Sequence, residues 1–121
     1  MKYMLLIYNN PATLEALSEE ERNEVFGDVG ALMNELTDSG ELVGGEALAH
    51  PSTAKTVRRH EGAVAATDGP FAEAKEQFAG YVMVDCESEE RALEIALRWP
   101  DPKYGGALEL RAVMQESGTE M

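Results

Sequence analysis

Cysteine occurs once, histidine twice, and basic residues number only ten against 23 acidic ones in this chain of 121 residues. Each scarcity excludes something. Cys86 has no second cysteine to bridge to, so no disulfide forms within the chain, nothing calls for an oxidising compartment, and the cytoplasm is the default expectation. His50 and His60 belong to no His-x-x-x-His pair and no cysteine cluster, so metal-ligand spacing is missing and neither metal nor cofactor is expected. A formal charge of −13 repels phosphate backbones and anionic headgroups, which makes nucleic acid and membrane poor partners. Such a surface suits solubility or a basic protein partner.

Long apolar runs are absent too. None approaches the roughly 18 residues of a membrane span, and the opening run Tyr3 to Tyr8 is cut off by Asn9-Asn10-Pro11 before it reaches the length of a secretory h-region. Gly44-Gly45 has neither a Walker lysine nor dinucleotide spacing, so nucleotide binding has no support. Phe78 to Val84 has the aromatic look of an RNA-stacking strand, but Glu76 and Asp85 flank it where Lys or Arg would meet phosphate.

What is present describes one domain, residues 1–121, with a core over 1–114 and a frayed tail over 115–121. The hydrophobic share of 44% is ordinary for a globular chain. At this length about two thirds of the unfolded surface is buried. Tyr3 to Tyr8 reads as a strand covered on both faces, followed by turn chemistry. Ser18-Glu-Glu-Glu21 has the spacing of a capping box and opens a helix. Its Val25, Phe26, Val29, Leu32, Met33 and Leu36 recur as one buried stripe, and Ser39-Gly40 ends it. Gly27 and Gly30 within that helix require either very close packing on the sheet or a weak middle.

Glu41 to Leu48 and Ala54 to Arg59 read as short strands, and Ala63 to Thr67 pairs back across Glu61-Gly62 as a hairpin arm. Gln77 to Val84 is the clearest later strand. Ser88 caps a second helix with Ala92, Leu93, Ile95, Ala96 and Trp99 inward, and Pro100-Asp-Pro102 stops it. Gly105 to Val113 forms the last strand, with Leu108, Leu110 and Val113 on one register. The fold class is therefore α+β, a ferredoxin-like split βαβ arrangement with an inserted hairpin. Each helix carries one apolar stripe, so both cover one face of a mainly antiparallel sheet. The strands are apolar on both registers, and a homodimer is the simplest cover for the other face.

Thr67-Asp-Gly-Pro-Phe-Ala-Glu-Ala-Lys-Glu-Gln-Phe-Ala-Gly-Tyr81 resembles the signature of the DGPF family, a branch of the YCII-related proteins. Lys2-Tyr-Met-Leu-Leu6, Ala54-Lys-Thr-Val-Arg58 and Gly106-Ala-Leu-Glu-Leu-Arg111 extend the likeness over nearly the whole chain. The resemblance implies a dimeric α+β barrel. It also implies either an enzyme working through a His and Asp pair, with one branch acting as dehydrochlorinases, or a regulatory module associated with sigma factors. Glu20-Glu-Arg-Asn-Glu24 stands where the presumed base of the enzymes is a histidine. Without that imidazole, Glu21, Glu24 or a distant histidine must accept the proton.

Asp68 is the candidate catalytic carboxylate, a general base or acceptor in a small-molecule cleft. On the alternative reading it bonds turn amides, Gly69 supplies an unusual backbone angle, and Pro70 begins a helical turn. Phe71 plugs the core. Glu73 and Lys75 form either a ligand-binding group or a solvated cluster. Arg58 and Arg111 clamp a ligand carboxylate on one register and face solvent on the other, and Tyr81 lines either pocket or core. For His50 and His60, capping or exposure is expected; for Cys86, a packed thiol. The functional expectation is a small-molecule-binding, enzyme-like domain with its cleft near Asp68, and the alternative is an interaction module for a sigma factor or other basic protein.

Overall fold

The computed structural model describes residues 1–114. Six strands and three helices follow in the order β1 (Lys2–Asn9), α1 (Pro11–Glu15), α2 (Glu19–Ser39), β2 (Leu42–Ala47), β3 (Lys55–His60), β4 (Ala63–Asp68), β5 (Gln77–Asp85), α3 (Glu89–Leu97) and β6 (Ala107–Ala112). Short 3-10 turns at Pro51–Thr53 and Asp101–Tyr104 complete the list. The expected α+β class holds. Residues 115–121, for which a frayed tail was expected, lie outside the described residues.

Four strands form one sheet in the order β2-β5-β1-β6, every neighbouring pair antiparallel, and β3 with β4 forms a separate two-stranded hairpin. Strand periodicity then sorts the side chains. Tyr3 lies opposite Val84 and Ala112, and Leu5 opposite Val82 and Leu110, so these residues share one face. Both longer helices pack there: Leu32 and Leu36 of α2 and Ala92, Ile95 and Ala96 of α3 join Tyr3, Leu5, Val82, Val84 and Trp99 in one buried cluster. Fully burying a side chain such as Leu36 or Ile95 stabilises the fold by about 1.5–3 kcal/mol.

The helix ends are built as the sequence dictates. The Ser18 hydroxyl accepts from the Glu21 amide at 3.1 Å while the Glu21 carboxylate accepts from the Ser18 amide at 3.0 Å. Gly40 closes α2 in the left-handed conformation, φ 78°. Ser88 caps α3, and from its first turn Arg91 donates twice to Glu41, Nε to Oε2 at 2.9 Å and Nη2 to Oε1 at 2.8 Å. This two-pronged pair ties α3 to the segment leading into β2 and is largely screened from water, which makes it stronger than a solvated surface pair.

Several expectations are corrected. Pro11–Glu15 is helical, because the Asn10 side chain caps it and Pro11 occupies its first position, where a proline ring costs nothing. The α2 stripe is buried only at Leu32 and Leu36; Phe26 is 73% exposed, and Val25, Val29 and Met33 are half-buried. Nothing approaches Gly27 or Gly30 within 4 Å of where a Cβ would stand, so they do not serve close packing. Leu93 is exposed, since only Ala92, Ile95 and Ala96 of α3 face the sheet. In β6 the inward register is Leu108, Leu110 and Ala112, and Val113 instead donates its amide to the Lys2 carbonyl. Pro70 starts no helical turn, and Phe71 is 74% exposed rather than core.

Candidate functional site

The first half of α2 stands away from the sheet, and the strands beneath it carry little. Gly45, Ala47, Ala79 and Gly80 floor this region, and Val25, Phe26, Val29 and Met33 roof it. Leu14 and Leu17, on and just after α1, close a side. The result is a pocket of about 720 Å³ between α2 and the sheet. A Cβ on Gly80 would come within 2.5 Å of the Glu46 carbonyl, and one on Gly45 within 2.7 Å of the Tyr81 carbonyl. The strands therefore meet closely only with glycine here, and the same glycines leave the floor bare. The β1–β5 register shifts between Ile7 and Tyr8, leaving Ala79 as the extra residue of a bulge at the pocket's edge.

One end of this apolar pocket is polar. Trp99, Pro100 and Asp101 follow α3, with Trp99 buried and Asp101 half-buried beside Asn9 at the end of β1. Burial pushes the Asp101 carboxyl above its ordinary value, partly offset by a hydrogen bond from the Asn9 side chain. A desolvated carboxyl in a concave apolar site is the kind of group that binding and proton-transfer sites use. Arg22, Glu15 and Glu46 also line the pocket, Glu46 with its side chain on the other face of the sheet. Arg22 donates through Nη2 to the Glu15 carbonyl at 2.9 Å.

A second groove, about 710 Å³, lies between the hairpin and the β1–β5 end, lined by Tyr8, Leu48, His50, Pro70, Phe71 and Phe78 among others. The sequence-predicted residues are distributed around it unevenly. Asp68 ends β4, its side chain 86% exposed and ion-paired with Lys55. Gly69 has φ 99°, the left-handed conformation glycine accepts freely, and is held by its own amide on the Ala54 carbonyl at 2.8 Å and by Thr56 Oγ1 on its carbonyl at 2.7 Å. The Arg58 guanidinium lies 5.1 Å from the Phe71 ring centre, a cation–π contact. Glu73 and Lys75 are exposed in a loop stapled by Gln77, whose Nε2 donates to the Ala72 and Ala74 carbonyls at 3.1 and 2.7 Å.

Arg111 and Tyr81 stand apart from that group. Arg111 pairs opposite Met4 and Tyr81 opposite Leu6, both on the sheet face away from the helices, and Tyr81 borders the α2 pocket through its main chain, whose carbonyl lies beside Gly45. The structure thus joins Arg58 to Phe71 and Gly69 to Thr56, but does not gather Asp68, Arg58, Tyr81 and Arg111 around one point. His50 caps the Pro51–Thr53 turn, accepting the Ser52 amide at Nδ1 (3.1 Å), with Nε2 3.2 Å from Glu15. The Cys86 thiol is buried, and burial raises it. Among the described residues no group of three or more His, Cys, Asp or Glu is placed to hold a metal, and no helix is long and apolar enough to cross a membrane.

Asp101, Asn9, Arg22 and Glu15 are the residues the sequence reading passed over. Pro100-Asp-Pro102 reads as a helix stop, and a carboxylate fixed between two prolines, two residues after Trp99, is the available signal.

The fold and pocket define a class: an α+β domain that encloses an apolar cavity between one helix and an antiparallel sheet. The YCII-related domain model matches residues 1–117, and the chain belongs to that family. A relative in Rhizobium meliloti (strain 1021), described as an uncharacterized protein, is 36% identical over 96 residues, covering 79% of this chain and 77% of the relative.

Proposed function

We propose that this chain is a YCII-related domain of the DGPF branch that binds a small, mainly apolar molecule in the pocket between α2 and the sheet. The observation that carries this reading is the pocket itself: a bare glycine and alanine floor, an unfilled helix stripe above it, and a desolvated carboxyl at one end. Asp101, not Asp68, is the carboxyl we assign to proton transfer with a bound molecule, because Asp68 is spent on Lys55 in open solvent. The groove at the DGPF turn is the weaker site, since the polar groups around it are exposed and paired.

The strand order and split βαβ connections favour a ferredoxin-like frame that pairs into a dimeric α+β barrel. Met4, Leu6, Tyr8, Tyr81 and Met83 share the face without helices and are only half-buried. An apolar face of this kind suits a second copy better than it suits a basic partner of sigma-factor type, which would seek carboxylates.

The test uses N-phenyl-1-naphthylamine, a neutral probe whose fluorescence rises in apolar sites. Saturable binding that Val29→Trp abolishes by filling the pocket, and that Phe71→Ala leaves intact, supports the reading. Binding lost with Phe71→Ala but kept with Val29→Trp moves the site to the groove, and an absence of binding to the wild type overturns it.

A further inference from the structure

We infer that the α2 pocket selects an uncharged ring compound bearing a hydrogen-bond donor, an aromatic or alicyclic alcohol, with that donor seated on Asp101. This rests on the pocket being a binding site and goes on to name what it takes. The polar lining decides the choice. Asp101 brings a carboxylate and Arg22 a cation; Glu46 also borders the pocket, but its side chain, opposite Tyr81, lies on the other face of the sheet, and the Glu15 carboxylate is 3.2 Å from His50 Nε2. The Asn9 side chain already donates to Asp101, and one Arg22 amine is already held by the Glu15 carbonyl. With one Asn9 N–H given to Asp101, the Asn9–Asp101 end keeps a single amide donor against the several accepting sites of the carboxylate and the Asn9 carbonyl, so a ligand that brings a donor fits it better than one that brings only acceptors.

An anionic ligand meets the opposite conditions. It would place a second negative charge beside a carboxyl already short of water, on a chain whose net charge is −13. Apolar walls from Ile7, Val29, Val82 and Trp99 favour a ring over a flexible polar chain, because little of their surface can satisfy further polar atoms.

Three compounds of one skeleton separate the possibilities: naphthalene, 2-naphthol and 2-naphthoate, with affinities measured by calorimetry or by displacement of N-phenyl-1-naphthylamine. The inference expects 2-naphthol to bind about tenfold or more tighter than naphthalene, with 2-naphthoate weakest. Asp101→Leu should bring 2-naphthol down to the level of naphthalene while leaving naphthalene itself unchanged. Asp101→Asn, which keeps an accepting oxygen, should restore part of the difference. Preference for 2-naphthoate, lost in Arg22→Gln, would overturn the inference in favour of an anion clamp at Arg22, and equal affinity for all three would overturn it in favour of unselective apolar binding. In both cases the pocket would stand as a binding site. Failure of all three to bind the wild type would remove the pocket reading and the selectivity together.

Discussion

The two faces of the four-stranded sheet are made from the same strands and from similar residues, yet they end in different states. On one, Leu5 and Val84 are wholly buried under α2 and α3. On the other, their immediate neighbours Leu6 and Met83 stay half-buried, with neither α2 nor α3 above them. A sheet whose strands are apolar on both registers gains from cover on both faces. Among the described residues the two longer helices, α2 and α3, both go to the same side.

The largest effect that sharpens this contrast comes from the covered face. Ile95 is fully buried between α3 and the sheet, so Ile95→Ala should cost about 2–5 kcal/mol by loss of burial and by the cavity left behind. Urea denaturation reads this directly. A loss below about 1 kcal/mol would mean that α3 is not seated as described.

The open face should respond in association rather than in folding. Leu6→Glu puts a carboxylate in the middle of that face, opposite Tyr81. If a second copy covers it, the dimer dissociation constant should rise about a hundredfold, equivalent to about 2.7 kcal/mol, while circular dichroism stays unchanged. Sedimentation velocity across a concentration series measures the shift. A wild-type chain that sediments as a monomer at micromolar concentration removes the proposed cover, and a variant that dimerises as before assigns the contact to another surface.

A smaller effect tests how the covered side is tied together. The hydrogen bonds from Arg91 hold the Glu41 carboxyl below its ordinary 4.5. As pH falls, the unfolded chain takes up this proton before the folded one does. The contribution is therefore fully present above about 4.5 and is lost as pH drops through the lower folded value. Glu41→Gln should lower stability at pH 7 by about 1–2 kcal/mol, in the range of hydrogen bonds to charged groups. It should also flatten the fall between pH 5 and pH 3 in denaturant titrations. An acid limb as steep as the wild type's would assign that limb to other carboxylates, such as Glu21 at the α2 cap.

What was legible in the sequence follows the same division. The capping box at Ser18, the Ser88 cap, the Gly40 stop and the strand assignments came through because each is a local signal read within a few residues. The burial of Phe26, Leu93 and Phe71 did not, because apolar spacing says that a stripe exists and not whether anything fills the space opposite it. Phe26 and Val29 belong to a stripe as regular as that of Leu32 and Leu36, but the strands below them carry glycine and alanine, so half the stripe roofs a cavity. That cavity depends on pairing β2 with β5 across some 35 positions of sequence, which no local pattern specifies. Asp101 was hidden for a related reason: its role comes from Asn9, at the far end of the chain, and the two meet only because β1 and β6 are neighbours.

The smallest effect is expected where the sequence motif is strongest. The Asp68 side chain is 86% exposed and its partner Lys55 is 68% exposed. A pair so open to water contributes about 0–1 kcal/mol after the entropy of holding two flexible chains is counted. The turn's unusual backbone at Gly69 is secured separately, by the Ala54 carbonyl and the Thr56 hydroxyl. Asp68→Asn should therefore change the denaturation midpoint very little and leave N-phenyl-1-naphthylamine binding as it is in the wild type. If the substitution instead leaves folding intact and abolishes binding, the chemistry sits at the DGPF turn after all. The exposure of Asp68 in one chain would then have to be closed by the second copy across the open face, which makes this variant, measured alongside Leu6→Glu, the sharpest available separation of a site built within one subunit from one completed between two.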